Sequence, residues 1–159
     1  MEKKAHIISL LVSNKPDVLA RVSGILGGRG YNIDSLSVNT TMSTETSKIV
    51  LTTTGDQATI TKIEKQLNKL VDVLQVSDLT EDDSVQNELA LVRMKLTKEN
   101  KPDILKAVET FKAGILIKEQ VCCIIKLSGK PDEIESALAH LKPMGIEDTV
   151  RTGTIALKK

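Results

Sequence analysis

The strongest constraint on this chain is an order of elements that occurs twice. Lys-Pro-Asp appears at 15–17, 101–103 and 130–132, each time before a run whose apolar residues recur at helical spacing. Proline suits the first helical turn, where its missing amide has no partner, and aspartate suits the positive end of the helix. In the first half, a strand pattern over 6–12 (HIISLLV) precedes the triplet, and Val18, Leu19, Val22, Ile25 and Leu26 follow it on one face. Gly27, Gly28 and Gly30 then stop the helix, because glycine takes the left-handed conformation of helix exits cheaply. Residues 32–39 (NIDSLSVN) alternate like a strand with unlike faces, and 48–54 (KIVLTTT) form a branched, strand-like run. Ile60, Ile63, Leu67 and Leu70 mark a helix over 58–70, and 71–76 (VDVLQV) close as a strand.

From Glu88 the order recurs: a strand over 89–96, a helix over 103–111, strands over 115–118 and 121–127, a helix over 132–141 and a final strand over 149–157. The simplest fold class is α+β, with two tandem ferredoxin-like βαββαβ domains at 1–80 and 81–159. The acidic, polar Glu81-Asp82-Asp83-Ser84 is the best linker candidate. Each domain would carry a four-stranded antiparallel sheet with two helices on one face, leaving the other face or an edge for a partner. Neither half is large enough to bury surface generously, so association is expected.

Charge narrows the partners. Residues 1–80 hold 9 bases against 8 acids and residues 81–159 hold 13 of each, which gives no electrostatic footprint for nucleic acid or a membrane surface. Phe111, Tyr31 and no Trp leave no platform for stacking bases. The opening MEKKAHIISLLVSNK has only a short apolar run, far below the roughly 20 residues of a membrane span, and no small-residue cleavage site follows it. A cytoplasmic protein is expected. Cys122 and Cys123 are adjacent, so on a strand they point to opposite faces and read as small apolar fillers.

Only His6 and His140 are available as imidazoles, with no nucleophile or acid at recognisable spacing, so no catalytic residue and no metal ligand is assigned. The glycine run fails as a phosphate loop, because such a loop opens a helix and these glycines close one. A pocket for a small zwitterion remains. Asn14, Asp17 and Val18 lie where the first strand turns into the first helix, and free helix amides there can hold a carboxylate. Asn32 and Ile33 begin the second strand, which in this topology comes close to the first loop only when a second subunit or unit packs alongside. An amino acid needs an anion receptor, a polar group for its ammonium and an apolar wall, and Asn14, Asn32 and Ile33 have the chemistry for these. Asn14 capping a turn and Asn32 relieving a bend after glycine account for the same residues without a ligand.

The stretch VSNKPDVLARVSGILGGRGYNIDSLSV, with IEKQLNKLVDVLQVSDL, NELALVRMKL and VRTGTIAL, resembles the small regulatory subunits of acetohydroxyacid synthase (acetolactate synthase) over essentially the whole chain. RGYNIDSL and IEKQLNKLVDV are specific in combination. The resemblance implies an amino-terminal ACT domain, a second ferredoxin-like domain, and a homodimer whose paired ACT sheets create effector pockets. It implies no catalysis by this chain, stimulation of a catalytic subunit, and feedback by valine in branched-chain amino acid synthesis. Thiamine diphosphate, magnesium and FAD would belong to that catalytic subunit, with no cofactor here. Asn14, Val18, Asn32 and Ile33 match positions that line the family's valine site. Asp17 stands where the family usually has glycine. Facing a ligand carboxylate at ~5 Å and an effective dielectric of about 20, it would cost roughly 3 kcal/mol and weaken valine inhibition. Turned to solvent, it would only favour the helix start. Leu26 for a common Phe and Gly27-Gly28 for more polar residues bear on packing. A free-standing ACT-type amino-acid sensor acting on a different protein is the alternative, and co-purification with a catalytic subunit separates the two.

Overall fold

The computed structural model describes residues 4–81 and 84–159. The chain divides into two compact units, one taking the described residues up to Gln86 together with Gly153–Lys159, the other taking Asn87–Thr152. The sequence places the domains at 1–80 and 81–159; here the chain passes from the first unit to the second after Gln86, and Gly153–Lys159 join the first. Of the linker candidate, Asp82 and Asp83 lie outside the described residues. Glu81 pairs with Lys4, and the Ser84 hydroxyl donates to the Leu79 carbonyl at 3.2 Å.

The first unit is built from β1 (Lys4–Ser13), α1 (Val18–Gly27), β2 (Ser35–Thr40), β3 (Thr46–Gly55), α2 (Gln57–Leu67) and β4 (Val73–Asp78). Its sheet has the order β2-β3-β1-β4, all antiparallel. Strand alternation sends Ile8, Leu10 and Val12 of β1, with Ile49 and Leu51 of β3, into one core with Val18, Val22 and Leu26 of α1 and Ile60, Ile63 and Leu67 of α2. The helical sets recur every three or four residues, so each helix lays one stripe on the sheet. Each fully buried Leu or Ile contributes about 1.5–3 kcal/mol of transfer free energy. The opposite face of the sheet is partly covered by the chain itself. Ile7 and Val50 pack there with Leu79 and Ala156.

The second unit follows the same plan with β5 (Ser84–Lys95), which it holds from Asn87 onward, α3 (Lys101–Thr110), β6 (Gly114–Lys118), β7 (Cys122–Gly129), α4 (Pro131–Leu141) and β8 (Ile146–Arg151), in the order β6-β7-β5-β8. Ala90, Val92, Met94, Ile125 and Leu127 meet Ile104, Ala107, Ile134, Ala137 and Leu141 of its helices. Cys123 is buried and Cys122 half-buried, and both are free thiols. Two antiparallel sheets, each with a helix layer, match the expected α+β tandem of βαββαβ units.

Several boundaries differ from the periodicity, among them β5, which starts at Ser84 rather than residue 89, and three have a clear cause. The expected final strand is two strands, β8 and β9 (Ile155–Lys158), broken at Gly153, whose φ of +72° lies in the left-handed region. The second strand starts at Ser35 rather than Asn32, because side-chain bonds hold 32–34 in a turn. The second helix ends at Leu67, and the Asn68, Lys69 and Leu70 amides donate to Glu64, Gln66 and Leu67 carbonyls in a closing turn. In the glycine run, only Gly30 is left-handed, at φ +74°; Gly28 keeps helical angles.

Candidate effector site

Asn14 follows the last residue of β1, and the turn between β2 and β3 takes up most of its polar groups. Its backbone amide donates to the Glu45 carbonyl at 2.8 Å, and Nδ2 donates to the Thr44 carbonyl at 2.8 Å. Its Oδ1 accepts from the Ser47 hydroxyl at 3.1 Å. One side-chain N–H and one oxygen lone pair remain for a ligand.

Asp17 occupies the N-cap of α1, yet its carboxylate makes no hydrogen bond to the first-turn amides. It reaches forward one turn and pairs with Arg21 Nη2. Arg21 is held from behind, with Nη1 3.2 Å from Oδ2 of Asp72, while Lys15 Nζ lies 2.6 Å from Oδ1 of the same carboxylate. Asp72 is buried, and its carbonyl accepts the Ser13 amide at 2.8 Å. The four charges form a neutral network in which only Asp72 is taken from water, and its two cationic partners offset that cost. Val18 is 3 % exposed and packs in the core, and its amide donates to the Lys15 carbonyl at 3.3 Å.

Asn32 and Ile33 lie in the turn before β2. Asn32 Nδ2 donates to Asp34 Oδ1 at 2.6 Å, its carbonyl accepts the Thr53 hydroxyl at 2.5 Å, and Asp34 Oδ2 accepts the Thr54 hydroxyl at 2.8 Å. The Asp34 amide donates to the Thr52 carbonyl at 2.9 Å. Ile33 is half-buried against the helix-side core, and Asn32 is exposed.

The register separates these two groups. Thr53, which holds Asn32, pairs with His6 at the start of β1, whereas Thr46 pairs with Ser13 at its end. Seven residues of strand at about 3.3 Å each put Asn14 and Asn32 roughly 20 Å or more apart in one protomer. The structure thus brings Asn14, Asp17 and Val18 together at one end of the sheet, and Asn32 with Ile33 at the other.

Sequence reasoning assigned no role to Arg21 or to Asp72. Arg21 has two carboxylate partners, and Asp72 is 51 residues away from it. The available signal was an acid interrupting the apolar VDVLQV run. The histidines are separate. His6 is fully buried, with Nδ1 3.3 Å from the Thr80 hydroxyl and 3.6 Å from Asp78 Oδ2, while His140 stands edge-on to Phe111 at 5.4 Å. Among the described residues no three His, Cys, Asp or Glu side chains converge as a metal site, and no helix is long and apolar enough to cross a membrane.

The fold is that of a tandem ferredoxin-like protein, and its first unit matches an ACT domain family. The family described as the AHAS small subunit-like ACT domain matches residues 8–75, and the family described as the small subunit of acetolactate synthase matches residues 87–159. The acetolactate synthase small subunit of Mycolicibacterium smegmatis is 34% identical over 154 residues, covering 97% of this chain and 91% of the relative. That of Aquifex aeolicus is 35% identical over 157 residues, covering 98% and 82%. The crystal structure of the acetolactate synthase small subunit from Thermotoga maritima superposes with a TM-score of 0.88 at 32% identity over 98% of each chain. This chain belongs to the acetolactate synthase small subunit family.

Proposed function

We propose that this chain is the non-catalytic regulatory subunit of acetohydroxyacid synthase, which raises the turnover of a thiamine-diphosphate-dependent catalytic subunit and makes it answer to valine. The observation that carries the effector reading is the separation of Asn14 from Asn32 along β1. Two polar clusters with spare hydrogen-bonding capacity at opposite ends of one sheet form a single pocket when two copies pair in opposite directions, each supplying one end. Asn14, Asp17 and the Val18 backbone of one copy then face Asn32 and Ile33 of the second. A carboxylate fits the α1 start, an ammonium fits the amide oxygens, and Ile33 offers the apolar wall. The contact of Asp17 with Arg21 supports the reading in which this carboxylate is turned away from the ligand.

Effector control of this kind is a coupling free energy: valine lowers activity only by binding one arrangement of the complex better than another. Reconstitution tests it. Mixing the chain with the catalytic subunit is expected to give a stoichiometric complex of higher turnover, and valine is expected to reverse the gain. A chain that binds branched-chain amino acids but forms no complex would instead be a free-standing sensor.

A further inference from the structure

We infer that Arg21 is a positioning residue for effector recognition, holding the Asp17 carboxylate off the ligand site. This rests on the effector reading above. An aspartate at an N-cap with extended backbone accepts the first-turn amides, the same amides an incoming carboxylate would use, whereas Asp17 has helical angles, φ −98° and ψ −5°. Here Asp17 makes no such bond and points one turn along the helix to Arg21.

An exposed pair four residues apart on a helix is too weak alone to fix that choice. Arg21 is different because its other nitrogen bears on Asp72, whose side chain is 9 % exposed and which also accepts Lys15. The buried anion fixes Arg21, and Arg21 fixes Asp17. Without the guanidinium, Asp17 loses the cation it touches, and its side chain leaves an unpaired negative charge at the start of α1. That charge opposes a ligand carboxylate by placing like charge beside it.

Direct binding of L-valine to the full-length chain, by titration calorimetry, tests this with Arg21→Met and with the double variant Asp17→Asn/Arg21→Met. Arg21→Met is expected to weaken binding about tenfold, the Coulomb repulsion across ~6 Å being reduced by partial exposure. The double variant, which lacks Arg21 equally but carries no charge at 17, is expected to return to within about threefold of wild type. Rescue by neutralising a second site excludes a fold defect of the Arg21 variant as the cause. If Arg21→Met binds valine as wild type does, or if the double variant stays as weak as the single, the positioning role is wrong. A wild-type chain that binds no valine overturns the effector reading itself, and this inference with it.

Discussion

Single side chains in this protein matter mainly where a buried charge depends on one partner. Glu88 is 3 % exposed, and Arg151 holds it through Nε at 2.5 Å and Nη2 at 3.2 Å, with Glu135 on the remaining nitrogen. These hydrogen bonds, Glu88 first, hold the guanidinium protonated well above its ordinary range. Removing the cation strands a carboxylate inside the second unit. Arg151→Met is therefore expected to cost about 2–3 kcal/mol in urea unfolding, and Glu88→Gln in the same background should recover part of it. Asp72 belongs to the same class of residue, and neither acid was legible in the sequence. Their partners are 51 to 63 residues distant, and spacing rules see only a turn or two of helix or an adjacent strand pair.

Among elements, periodicity located the four α-helices and β1 to β8, because each buries one stripe or one face and the apolar residues record it. It erred where a backbone turn rather than a hydrophobic face sets the boundary. Residues 32–34 alternate like strand, yet Asn32, Asp34, Thr53 and Thr54 bond one another and delay β2 to Ser35. Residues 149–157 read as one strand, yet Gly153 turns the chain between β8 and β9. A Cβ there would lie 2.8 Å from Ser35 Cβ and 3.0 Å from its hydroxyl, on a backbone already at positive φ. Gly153→Ala is accordingly expected to cost about 1–2 kcal/mol. Hydrogen exchange should show the loss as faster exchange in β2 and β9, with α3 and α4 unaffected.

For the molecule as a whole, a partner is expected on each sheet's other face or an edge, and in the first unit Leu79 and Ala156 take part of that face, over Ile7 and Val50. Sequence reasoning already brought Asn32 and Ile33 near the first loop only across a second subunit or unit, and the register of β1 with β3 adds the distance, with the two groups at opposite ends of one sheet. That arrangement makes a complementation test possible. Asn14→Ala and Asn32→Ala chains should each lose most valine binding alone. Mixed, paired copies would regain one intact pocket per mixed pair, and titration of the mixture should show tight sites absent from either pure sample. No recovery on mixing would mean that both asparagines serve one chain.

The return of β9 also bears on how the protein is made. Residues 4–86 leave the ribosome first, but the strand carrying Ala156 follows only after residues 87–152. At roughly 5–20 residues per second, the nascent amino-terminal sheet waits on the order of 3–13 s with Ile7 and Val50 still wet. The unit that starts folding first is therefore finished last.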